Sequence, residues 1–131
     1  MGSILSVFVG GIIGTALRLE IDTLIPHSDS QFPLSTLLIN IVGSFVLSVL
    51  ISRLWPVAPG WVRGGLGPGL LGGFTTFSAV MVSMVTLAAS SDILMALGYA
   101  ALTLVLGFGS AATGFWLGRR RDSDPTIEVD E

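Results

Sequence analysis

The densest chemistry in the chain lies in one stretch, Gly72-Gly73-Phe74-Thr75-Thr76-Phe77-Ser78. Three hydroxyls, two aromatic rings and two glycines sit there inside an apolar run over residues 66–89. A run of that length crosses a bilayer, at roughly 20 residues per span. Glycine disfavours helix by roughly 1 kcal/mol, and β-branched threonine lends helix little support. A break in a membrane helix is therefore expected at residues 72–76. Irregular backbone at membrane depth survives only where protein buries it or where it lines a watery cavity. Freed carbonyls can hold a small cation, while freed N–H groups, hydroxyls and electropositive ring edges can face an anion. The plainer alternative is a continuous helix whose glycines allow close packing and whose hydroxyls bond one turn back.

A second polar feature precedes it. Thr36, Asn40, Ser44, Ser48 and Ser52 recur every four residues and draw one stripe along a helix. Serines can satisfy themselves on their own backbone, so the stripe alone says little. Asn40 differs, because its amide carries two donors and an acceptor that its own helix cannot fully use. It is read as facing the bundle interior or a pathway, or as interhelical glue. Arg18 either snorkels and pairs with Asp22 one turn on, or faces an aqueous vestibule and draws in anions. His27 has no second ligand at metal spacing and reads as a loop residue. Phe74 and Phe77 share a face if helix resumes after the break.

These residues need elements to hold them, and the composition says which. The chain has 131 residues, 51% apolar and only 11% charged, with a mean hydropathy of +0.84. Soluble domains carry about a quarter charged residues, so this is an integral membrane protein. Four spans are expected, over residues 4–24, 33–54, 61–89 and 93–117. Linkers rich in proline, serine and aspartate separate them. The apolar runs lack the alternation of a membrane β-barrel, and the fold class is all-α. Residues 1–118 form the membrane domain, and 119–131 a basic, then acidic, disordered tail. Without cysteine there is no disulfide framework or thiolate metal site. Residues 1–6 lack the basic segment of a signal peptide; their fit to the N-myristoylation pattern reads as chance. No embedded acid, base and nucleophile come together, so an enzyme is not expected. A nucleic-acid partner is not expected either.

Together these landmarks resemble the fluoride-channel family called Fluc or CrcB, over essentially the whole chain. The 72–78 stretch is similar to the family's GG-x-TTFS signature in the third span. Leu38-Ile39-Asn40-Ile41-Val42-Gly43-Ser44-Phe45 resembles its Asn-x-x-Gly-Ser-Phe in the second, and Gly14-Thr15-Ala16-Leu17-Arg18 its arginine-bearing first span. The resemblance implies an antiparallel dimer with two narrow fluoride pores, passive export of fluoride, and a structural sodium ion (Na+) on the dimer axis. It implies that backbone carbonyls of Gly72 and Thr75 bind that ion. Asn40 and Phe77 would be pore residues, with Thr76, Ser78 and Phe74 beside them and Arg18 in the vestibule.

Two departures stand out. The family's second pore phenylalanine falls on Val80, which has no electropositive ring edge. The fourth span's polar track falls near Gly107 and Ala111, with Ser110 and Thr113 close but out of register. A partner paralogue inserted the opposite way would account for both; the other option is a homodimer with a relaxed pore. Positive-inside counting puts both termini in the cytoplasm, and the resemblance implies the cell membrane as the location. Two competing readings are a small multidrug-type transporter, with Glu20 as its only candidate carboxylate, and a non-conducting assembly subunit.

Overall fold

The computed structural model describes residues 2–26, 28, 31–90 and 92–119. His27 and the tail beyond Arg119 lie outside the described residues. Helix α1 covers Gly2–Leu24 and α2 covers Leu34–Arg53. The third span is composite: α3 (Gly60–Gly64), a π-helical segment (Gly65–Leu71), α4 (Gly72–Phe74) and α5 (Phe77–Ala89). Helix α6 runs Ile93–Gly118. Among the described residues, four helical stretches are long and apolar enough to cross a membrane, and the protein is a multi-pass membrane protein.

Local chemistry explains several of the ends. Asp92 caps α6, its carboxylate accepting the Met95 N–H at 2.9 Å. At the other end of α6, Arg53 reaches across from α2 and donates to the Leu117 carbonyl at 2.9 Å. The π segment is not signalled by hydropathy. Pro68 inside it has no N–H to return to the preceding turn, so the regular ladder cannot pass through. The ladder widens, and the Gly72 N–H donates to the Gly67 carbonyl five residues back.

Packing follows residue size. Helix α1 lies along the first half of the third span, α2 along α6, and α5 against α6. A Cβ on Gly10 would collide with the Gly65 carbonyl, and one on Gly14 with the Leu70 carbonyl. From the facing side, a Cβ on Gly69 would lie 2.8 Å from the Val7 carbonyl, and one on Gly73 2.7 Å from that of Gly11. These backbones therefore meet with nothing between them. The small face of α6 works similarly: Gly114 and Gly118 seat against Ser48 and Ser52 of α2. Those serines satisfy themselves on their own helix, Ser48 on the Ser44 carbonyl at 2.7 Å and Ser52 on that of Ser48 at 2.8 Å.

Two apolar cores flank α2. Leu37 joins Val80, Leu87, Ala96 and Tyr99 on one side. Ile39 joins Leu71 and Phe74 on the other. Residues two apart on a helix point about 200° apart, so α2 is the wall between the cores.

Candidate functional site

Backbone geometry changes abruptly after Phe74. Thr75 (φ −79°, ψ 154°) and Thr76 (φ −150°, ψ 118°) are extended, while Gly72 keeps helical angles. The irregular residues are thus the two threonines and not the glycines. The Thr75 N–H and hydroxyl both donate to the Leu71 carbonyl, at 2.9 and 2.8 Å, closing the preceding turn. Thr76 begins the next one: its hydroxyl accepts the Ala79 N–H at 3.2 Å and lies 3.1 Å from the Ser78 hydroxyl.

Asn40 holds the extended pair from α2. Its Nδ2 donates to the Thr76 carbonyl at 3.0 Å, and its Oδ1 accepts the Thr76 N–H at 2.9 Å. One side chain thereby satisfies both polar groups of one residue, as a neighbouring strand would. Gly43, one turn on, leaves room for the break, since a Cβ there would collide with the Thr75 methyl. The clamp has a further consequence. A regular helix would send the Thr76 N–H to the Gly72 carbonyl and the Ala79 N–H to that of Thr75. Both donors go elsewhere, to Asn40 and to the Thr76 hydroxyl. The carbonyls of Gly72 and Thr75 therefore lose their helical partners.

Beside the clamp lies a groove of about 460 Å³, to which Asn40, Ser44, Thr76, Phe77, Val80 and Thr103 contribute. Phe77 stands at its edge, 71% exposed, while Val80 is 3% exposed and belongs to the core. The remaining expected site residues separate. Phe74 turns away into the second core, because two extended residues between the rings undo their shared face. Ser78 is exposed outside the groove, its hydroxyl 3.1 Å from that of Thr76. Arg18 makes no hydrogen bond or ion pair among the described residues. The pairing with Asp22, one of its two alternatives, is not formed, and among the described residues the buried Oδ1 of Asp22 has no hydrogen-bond partner.

On α6, Ser110 and Thr113 bond back to the Gly107 and Gly109 carbonyls, while Gly107 itself faces the groove. Thr103 also lines the groove, with its hydroxyl turned inward. Its Oγ1 and the Tyr99 hydroxyl are buried without a well-formed hydrogen bond, with Ser83 and Thr103 the polar neighbours of Tyr99. The spacing of Tyr99, Thr103 and Gly107 at one turn each was the available signal. No group of three acidic, histidine or cysteine side chains able to hold a metal exists among the described residues.

A fluoride-specific ion channel FluC 2 of Nocardia farcinica is 41% identical over 123 residues, covering 85% of this chain and 87% of the relative. Another FluC 2, of Halalkalibacterium halodurans, is 39% identical and covers 87% and 84%. A fluoride-specific ion channel FluC of Paracoccus denitrificans is 36% identical and covers 88% and 93%. Residues 5–115 match the family described as CrcB-like protein, Camphor Resistance (CrcB), and the chain belongs to that family.

Proposed function

We propose that this chain is a subunit of a fluoride-selective channel, not an enzyme, that lets cytoplasmic fluoride leave the cell passively. The observation that carries the reading is the groove at the Thr75–Thr76 break, where Asn40 and Phe77 meet. Fluoride is small and tightly hydrated, so a pore must replace its water with donors at close range. Asn40 spends one amide hydrogen on Thr76 and keeps a second. The hydroxyl of Ser44 and the edge of the Phe77 ring complete a set that carries no fixed positive charge. An anion can thus be met without being trapped.

The Gly72 and Thr75 carbonyls fit a sodium ion, because their helical donors are diverted and oxygen ligands suit a hard cation. Bound there, the ion would supply a positive charge at the break and link the subunits. The exposed ring of Phe77 and the one-sided groove favour a second, antiparallel subunit closing the pore. Val80 and Gly107 on the groove wall offer neither ring edge nor hydroxyl. That observation favours a partner paralogue, this chain alone being an assembly subunit with at most one intact pore in the pair. A multidrug-type transporter has less support, since Glu20 is exposed near the end of α1 and does not line the groove.

Fluoride efflux from liposomes tests the proposal, with the chain alone and with an oppositely inserted paralogue. The expected result is fluoride efflux, without chloride efflux, in the paired sample. No fluoride efflux from either sample would overturn the reading.

A further inference from the structure

A second cavity, of about 230 Å³, lies at the far end of α1 from Gly2, where the last turn of α1, the linker before α2 and one face of α5 meet. It shares no residue with the groove beside the break. Asp22, Gln31, Thr36, Ser83 and Thr86 in its lining carry side-chain oxygens, and Asp22 is the one charged residue among the described lining. The Asp22 carboxylate forms no hydrogen bond or ion pair among the described residues, and its Oδ1 is enclosed. Arg18, one turn earlier on the same helix, is not in the lining. A carboxylate drawn out of water needs hydrogen bonds or a counter-charge, and no side chain here supplies either.

The state of the neighbouring groups decides the class of occupant. The Thr86 hydroxyl spends its proton on the Ser83 carbonyl at 3.0 Å, which leaves it lone pairs for a cation and no donor for an anion. The Gln31 Oε1 accepts the Ser28 N–H at 3.1 Å and keeps a second lone pair. Thr36 is 5% exposed and its hydroxyl makes no hydrogen bond among the described residues. Carboxylate, amide and hydroxyl oxygens are ligands for hard cations, and one negative charge balances one positive charge. We propose that this cavity binds a monovalent alkali cation, held by the Asp22 carboxylate and the Thr36 hydroxyl with Gln31 and Thr86 beside them. The site is separate from the Gly72 and Thr75 carbonyls at the break. Its consequence rests on the channel reading: with the cation bound, Asp22 no longer repels fluoride on that side of the membrane.

The test uses the full chain in detergent at fixed ionic strength and reads sodium binding from the broadening of the sodium NMR line. Broadening should saturate with added protein-bound sodium and be reversed by potassium, but not by a bulky organic cation. Asp22→Asn keeps the size of the side chain and should weaken binding about fivefold or more, the worth of one charge at contact distance in water. Thr36→Val keeps the shape and should weaken it as well, which a merely long-range effect of charge would not do. Glu20→Gln, an exposed position on the same helix, should leave it unchanged. Unchanged affinity in Asp22→Asn or in Thr36→Val would overturn the site. So would a protonated-carboxyl infrared band at neutral pH that disappears in Asp22→Asn, since a proton would then stand in the cation's place. Binding is read without flux, so this site can fail while fluoride efflux stands, and the reverse.

Discussion

Asn40 shows what residue type reveals and what it hides. An amide in an apolar helix announces that it needs partners, and that much is legible in the sequence. That both partners belong to Thr76, 36 positions away, depends on how α2 packs against the third span. The same packing separates Phe74 from Phe77, which one-dimensional spacing had placed together. Asn40 and Phe77 should therefore fail differently. Asn40→Asp keeps an acceptor for the Thr76 N–H but sets a carboxylate oxygen against the Thr76 carbonyl. Fluoride efflux should fall at least tenfold, with about 1–3 kcal/mol of stability lost with the clamp. Phe77→Ile should cut efflux comparably yet leave the melting temperature in detergent nearly unchanged, since the ring is exposed. If both variants transported fluoride like the parent, the pore assignment would be wrong.

At the scale of elements, hydropathy located all four spans to within about three residues, because lipid solvates one long apolar segment at a time. The interior of the third span was less legible. Its glycines suggested a break at residues 72–76, yet Gly72 and Gly73 stay helical, and Gly73 closely apposes α1. The π segment escaped notice because Pro68 removes a donor without fixing how the ladder re-forms around it. Gly10, Gly14, Gly69 and Gly73 set the distance between α1 and the third span, and so the position of Thr75. Gly14→Ala should destabilise the protein by about 1–3 kcal/mol as the backbones are forced apart. Gly98→Ala, whose Cβ would meet nothing within 4 Å, should be neutral or stabilising by up to about 1 kcal/mol. Thermal unfolding and monodispersity in detergent compare the two; equal behaviour would remove the interlock from the account.

At the scale of the whole molecule, the question is what closes the groove and which way each chain inserts. If Gly72 and Thr75 carbonyls of two subunits share sodium, exchanging it for a bulky organic cation should weaken the dimer or slow efflux. Indifference to the exchange would argue for an axis without the ion. Orientation follows from charge. Four spans put the termini and the second linker on one side, with Arg53, Arg63, Arg119, Arg120 and Arg121, against Arg18 alone on the other. Acidic residues count little in this rule, so the bias is five arginines to one and both termini should be cytoplasmic. An antiparallel homodimer needs one sequence to insert both ways, and such a bias opposes that. The same chain carries Val80 and Gly107 where a pore would use a ring and a hydroxyl. A paralogue of opposite orientation that supplies the missing groups would account for all of these facts. A C-terminal reporter on the chain expressed alone should therefore read cytoplasmic only. Fluoride efflux should be absent or at least tenfold weaker without the paralogue, and restored with it. A reporter active on both sides, together with full efflux from the lone chain, would instead establish a homodimer with a relaxed pore.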